Sequence, residues 1–255
     1  MRIAIAQVAM HWTTAENMVA IERAMRLARD HRAQLCAFSE LAVTGFHREI
    51  AREAVPARVE AALQGVRALA AQLQLAVAVG VPAFGEGGSR FIAHALVDEH
   101  GQPVATVAKR GLTAAEATFF ARGASRPVGV LQGLRCAAVI CREVEDLPEV
   151  LAERPAGSTD VILVPGALRR DPDKPRTDPP AYVRDIQRLA QATRAHVVHT
   201  NWPKALNRHE ESVDGGGGTV VGPDGELHFR LPVQAAGVGV FRLGERRFDR
   251  HPQPD

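Results

Sequence analysis

The 255 residues predict an α/β fold in which helices flank a mixed sheet, or two sheets. Three observations carry this. Short apolar runs of strand length alternate with longer stretches whose apolar residues recur at helical spacing. Tight turns at EHGQ (99–102) and PDG (223–225) join strand-like runs into hairpins within that alternation. The chain is 46% apolar and shows neither an internal repeat nor a long linker, so a single domain over 1–255 is expected.

The elements follow in order. Residues 3–9 read as a strand, with Ile3 and Ile5 on one face. Thr13 or Thr14 caps a helix over about 15–31, whose apolar stripe is Met18, Ile21, Met25 and Ala28. Leu35–Phe38 is a short buried strand that ends at Ser39 and Glu40. A second helix spans about 57–73 on Val59, Leu63, Val66 and Leu69. Strands at 76–84, 91–98 and 103–109 follow, the last two as an antiparallel pair. GLRCAAVIC is read as a strand ending at Cys141, and 146–154 as a short helix. DVILVP (160–165) is a buried strand, 169–180 a Pro- and charge-rich loop, and Tyr182–Arg194 an amphipathic helix. HVVHTN (196–201) and 237–243 are strands on either side of the 223–225 hairpin, and the tail FDRHPQPD is expected to fray.

Composition excludes several classes of function. Net charge is +2 and the charges are interspersed, so nucleic acid and anionic lipid are not favoured partners. No apolar run approaches the roughly 20 residues of a membrane span. The opening MRIAIAQVAMHW is broken by Gln7 and reads as a strand, not as a signal peptide. Three cysteines without paired spacing argue against a disulfide framework or zinc ribbon and for a reducing, cytoplasmic setting. His196 and His199 alternate faces on a strand, HEE at 209–211 lacks a second histidine, and GGGG at 215–218 lacks the rest of a phosphate loop; no metal site is expected.

The chemistry gathers at strand ends. Cys141 closes an apolar run before a polar turn, where backbone N–H groups can face a substrate. Taken alone, it reads more readily as a core cysteine, and Cys36 and Cys136, inside their apolar runs, more readily still. Glu40 ends another apolar run, where an apolar setting raises a carboxyl pKa toward that of a useful base. Lys109 ends a third, and only three of the 31 basic residues are lysines. A compact ammonium in a chain that otherwise prefers arginine suggests a specific need. Glu116 lies seven residues beyond Lys109. Base, electrostatic stabiliser and nucleophile are thus available at the ends of separate strands. Arg142, Glu143, Glu145, Arg169, Tyr182 and Trp202 are further pocket candidates that spacing cannot place.

With these segments in view, the chain resembles the carbon–nitrogen hydrolase (nitrilase-like) superfamily. AFSELAVTGF (37–46) resembles its glutamate segment, AKRGLTAAEATFFARG (108–123) its lysine segment with a second glutamate at Glu116, and VICREVEDLPE (139–149) its nucleophile segment. MRIAIAQV and GGTVVGPDGEL fit as well. Two positions depart from the pattern: Gly111, where a histidine is common, and Arg142, where an aromatic often follows the cysteine. The resemblance implies a four-layer α-β-β-α sandwich, a homodimer or higher homo-oligomer, and no cofactor. It implies a hydrolase that cleaves a small carboxamide or carbamoyl compound through a cysteine thioester, with Glu40, Lys109 and Cys141 catalytic and Glu116 and the Arg142 N–H in support. A nitrilase proper and a non-catalytic binding protein on the same fold are the alternatives.

Overall fold

The computed structural model describes residues 1–167, 181–207 and 217–252. Its first half runs β1 (Arg2–Gln7), α1 (Thr14–Asp30), β2 (Leu35–Ala37), α2 (Ile50–Glu53), α3 (Pro56–Leu73), β3 (Ala76–Phe84), β4 (Arg90–Val97) and β5 (Pro103–Ala108). The second half runs β6 (Gly129–Leu131), β7 (Leu134–Ala138), α4 (Leu147–Glu153), β8 (Val161–Pro165), α5 (Ala181–Thr193), β9 (His196–Thr200), β10 (Thr219–Val221), β11 (Leu227–Arg230), β12 (Gly237–Arg242) and β13 (Phe248–His251).

Local chemistry explains the main boundaries. Thr13 caps α1 in a reciprocal box with Glu16, satisfying two donors at the helix start. Pro56 opens α3, where its missing N–H is not needed, and Gln74 closes that helix in the left-handed conformation.

Two mixed sheets result, ordered β13-β12-β1-β2-β3-β4-β5 and β11-β10-β9-β8-β7-β6. Strand alternation then builds four layers. Ile3 and Ile5 point between the sheets and pack with Leu35, Ala78, Val161 and Leu163. Ala4 and Ala6 face the other way, against Ile21, Met25 and Val66 of α1 and α3. On the far side, Ile162 and Val197 of the second sheet pack on Ile186 and Leu189 of α5. This is the α-β-β-α sandwich implied by the resemblance.

The structure revises some sequence-based expectations. The strand that leads to Cys141 stops at Ala138, and Cys141 instead opens a 3₁₀ turn over Cys141–Glu145. The expected frayed tail forms β13 up to His251, paired antiparallel with β12. Only the ladder partner makes that charged stretch a strand, so its own pattern gave no signal. β6 and α2 are too short, at three and four residues, to carry a period. The loop 169–180, the HEE at 209–211 and the first two glycines of GGGG lie outside the described residues.

Candidate active site

Parallel strands β2 and β7 end on the same side as the hairpin strand β5, and the three candidate residues lie just beyond these ends. The edge beyond the carboxyl ends of parallel strands is the usual place for a ligand site in α/β folds.

Glu40 sits in a turn pressed against β3. A Cβ on Gly80 would stand 2.4 Å from the Ser39 carbonyl oxygen and 2.3 Å from the Leu41 nitrogen, so only glycine admits the turn. The opposite sheet holds it as well. Thr200 Oγ1 donates to the Phe38 carbonyl at 2.8 Å, and Trp202 Nε1 donates to the Glu40 carbonyl at 2.8 Å. Trp202 is therefore a strut beneath Glu40.

Lys109 follows β5. Its N–H donates to Ile92 at 2.8 Å and its carbonyl accepts from Gly123 at 2.8 Å, closing the loop that carries Glu116. A Cβ at 123 would meet the Ala108 oxygen at 2.4 Å. The ammonium bridges two carboxylates, donating to Glu40 Oε1 and Glu116 Oε1 at 2.7 Å each. Glu116 is oriented in turn by the Thr113 N–H on its other oxygen, at 2.8 Å. Lys109 and Glu40 are fully buried and Glu116 nearly so. Lys204, by contrast, is exposed, and Lys174 lies outside the described residues. Of the two described lysines, the one in the strand-end pattern is buried.

Cys141 has φ +54°, a left-handed conformation uncommon for a residue with a side chain. This turns its thiol toward the Glu40 carboxyl, and the Ala167 N–H faces the sulfur. Leu41, Ile92, Val107, Phe120 and Ile140 form the apolar wall around it.

The electrostatics follow from burial and proximity. Desolvation, reinforced by the Glu40 charge and opposed by Lys109, pushes the Cys141 thiol up to about 12. Desolvation also raises Glu40, against the opposing pull of Lys109. For Lys109, burial works against the charged form, but the surrounding anions outweigh it and hold the amine above its ordinary value. Burial also raises Cys36, and raises Cys136 to about 12. A raised pKa therefore does not single out Cys141; its base and cation do.

Other candidates fall elsewhere. The Arg142 guanidinium is folded onto Asp146 in a two-point pair, at 2.9 and 3.2 Å. Arg169 lies outside the described residues. Tyr182 heads α5 and accepts from Arg230 at 2.7 Å, and Glu145 is exposed. Glu143 is buried and accepts the Ile140 N–H at 2.6 Å. Its partner Arg126 and the Arg142 tether Asp146 were missed, because neither sits in a strand-end pattern. Among the described residues no group of three or more His, Cys, Asp or Glu is placed to hold a metal ion, and no helix is long and apolar enough to cross a membrane.

The family pattern described as carbon-nitrogen hydrolase matches residues 2–240. The chain belongs to the carbon–nitrogen hydrolase family. No curated protein matches it in sequence. Among solved structures it is similar to an amidase from Nesterenkonia sp. AN1. One form of that amidase, a glutamate-to-glutamine mutant, shows the Michael addition of acrylamide at its active-site cysteine. This chain is 27% identical to it over 95% of its own length and 93% of the amidase's, with a TM-score of 0.81. A second form, carrying the acetamide moiety of fluoroacetamide on that cysteine, is 26% identical over 99% and 90%, with a TM-score of 0.79. A glutamine-dependent NAD+ synthetase from Acinetobacter baumannii shares the fold, with a TM-score of 0.75 at 18% identity, over all of this chain and 48% of the synthetase.

Proposed function

We propose that this carbon–nitrogen hydrolase is an amidase that cleaves a small carboxamide or carbamoyl compound through a thioester on Cys141. The observation that carries the reading is the buried array in which one ammonium, Lys109, spans Glu40 and Glu116 at 2.7 Å beside a strained cysteine.

The resting thiol is protonated, so attack needs a base. Glu40 supplies it: one oxygen is held by Lys109, and Oε2 carries no other hydrogen bond. As the proton moves to Glu40, the sulfur attacks the carbonyl carbon. The oxyanion forms against Lys109 and the Arg142 N–H; one such donor is worth roughly 2.7–4 kcal/mol of barrier. Glu40 passes its proton to the leaving nitrogen, ammonia or amine departs, and a thioester remains. Water then gives a proton to Glu40 and attacks the thioester, yielding the acid and the free thiol. Glu116 fixes the ammonium so that it serves as a point donor to a tetrahedral oxygen.

The amide preference over a nitrile rests on this donor placement, since a nitrile gathers charge on nitrogen instead. The neighbouring amidase, with amide-derived adducts on its cysteine, points the same way. Arg142 lends no support to a carboxylate-bearing substrate, because Asp146 already occupies its fork. A cytoplasmic location rests on three cysteines, all unpaired, and a homodimer rests on family habit.

The test is ammonia release across matched amides, N-carbamoyl compounds and nitriles, with mass spectrometry of the acylated protein. Faster turnover of nitriles, or an adduct that survives Cys141→Ala, overturns the reading.

A further inference from the structure

A second buried carboxylate stands behind the candidate nucleophile, and the chemistry above does not use it. Glu143 is fully buried and takes four hydrogen bonds. Its Oε2 accepts from the N–H of Ile140, the residue before Cys141, at 2.6 Å. Its Oε1 accepts from the N–H groups of Arg110 and Gly111, the two residues after Lys109, at 2.7 and 3.0 Å. The same oxygen accepts from Arg126 Nη2 at 2.8 Å.

Arg126 is itself fully buried and anchored from behind. Its Nη1 donates to Glu153 of α4 at 2.7 Å, and Arg110 is paired with that same carboxylate. Arg126 follows Gly123, where the loop bearing Glu116 returns to Lys109. One carboxyl group therefore ties together the backbone just before Cys141, the backbone just after Lys109 and the returning loop.

A core ion pair in an arbitrary place would need no such partners. Here the bonds go to backbone groups adjacent to two reacting residues, and Cys141 holds its left-handed φ of +54° one residue beyond the pinned Ile140 N–H. We propose that Glu143, braced by Arg126, is a positioning residue that sets the separation of the Cys141 thiol from the Lys109 ammonium. The inference rests on the amidase reading for its readout.

All four partners are donors, which makes glutamine a sharp probe. An amide at 143 has one accepting oxygen and must turn its NH₂ toward an N–H that needs an acceptor. A displacement on the order of 1 Å at a reacting group lowers turnover by roughly 10²-fold.

The experiment compares wild type, Glu143→Gln and Arg126→Lys in amide turnover, in iodoacetamide labelling of Cys141 and in thermal unfolding, with kinetics taken well below the melting temperature. Glu143→Gln is expected to lose about 10²-fold in kcat with KM within about threefold, and labelling is expected to slow in parallel. Arg126→Lys keeps the cation but cannot fork to both carboxylates, and falls between. A purely structural role lowers the melting temperature and leaves kcat and labelling intact; that result in folded Glu143→Gln overturns the proposal. If Glu143→Gln does not fold, Arg126→Lys decides, and wild-type kcat there overturns it equally. A wild-type protein that neither turns over amides nor labels at Cys141 would instead sink the amidase reading.

Discussion

Gly111 and Arg142 occupy the same space. A Cβ on residue 111 would lie 3.2 Å from Arg142 Nη1 and 2.4 Å from the Asp146 oxygen that holds it. The two departures from the family pattern therefore form one local arrangement. The ion pair of Arg142 fills the volume a side chain at 111 would take, and neither change is comfortable alone.

This predicts coupling. Gly111→His alone drives Asp146 off Arg142, and Arg142→Phe alone leaves Asp146 unpaired over an empty glycine. Together they restore a filled site. A double-mutant cycle on urea unfolding is expected to give a favourable interaction of about 0.5–3 kcal/mol. Additive effects would mean the positions are independent.

Cys141→Ala is expected to abolish turnover and keep the fold, while Cys36→Ala and Cys136→Ala stay active. The left-handed φ of residue 141 adds a second expectation. Cys141→Gly, equally inactive, should be more stable than Cys141→Ala by about 1–2 kcal/mol, because only glycine adopts that conformation without strain. Paired thermal melts of the two inactive variants check it.

That strain also marks the limit of what the sequence could tell. Glu40, Lys109 and Cys141 were legible because each closes an apolar run, and apolar runs are what strand burial imposes. That Cys141 opens a turn with positive φ was not legible, since the apolar run carries no sign of the two bonds that frame it: Glu143, from within the turn, on the Ile140 N–H, and the Leu163 carbonyl, distant in sequence, on the Val139 N–H. Arg126 was equally hidden. A buried arginine carries no pattern of its own and is recognised only once its two carboxylates are in place. The strand β13 needed β12 to exist at all.

Lys109→Met is expected to be inactive and strongly destabilised, by roughly 3–5 kcal/mol, because it leaves Glu40 and Glu116 facing each other without a cation. Its stability should recover as pH falls and Glu40, which burial already raises, protonates. Lys109→Arg keeps the charge but spreads it over a plane too large for the slot. It should fold better than the methionine variant yet still lose most activity. Chemical unfolding at pH 5 and 7.5, beside amide turnover, separates the two effects; an active Lys109→Arg would mean that charge alone suffices.

The pH dependence of turnover should show an acid limb set by Glu40. Burial raises this carboxyl above its ordinary 4.5, so activity falls with decreasing pH at a midpoint above that value. Glu40→Gln removes the limb along with the activity. A profile of kcat/KM whose acid midpoint lies at or below 4.5 would rule out Glu40 as the base.

Folding stability should respond to pH in a different window, through two histidines outside the reaction. His94 and His199 are fully buried, both ring nitrogens of each lack partners, and burial lowers both to about 3. Arg230 adds to the effect at His199. Both are therefore neutral in the folded chain, while the unfolded chain binds protons below about 6.5. Stability from their neutral burial is fully present above that value and is lost as pH falls toward 3. The slope is about 1.4 kcal/mol per pH unit for each histidine. The raised Glu40 works in the opposite sense, since its folded-state pKa exceeds the unfolded one and its contribution falls as pH rises above 4.5. The interval from 6.5 to 5 is thus where the histidines act most clearly. His199→Leu should flatten the decline in urea stability there by about 2 kcal/mol. At pH 7.5 the variant should be close to wild type, because it removes two unsatisfied buried nitrogens along with the ring packing against Tyr182. Parallel stability curves for the two proteins between pH 7.5 and 5 would show that His199 does not stay neutral in the fold.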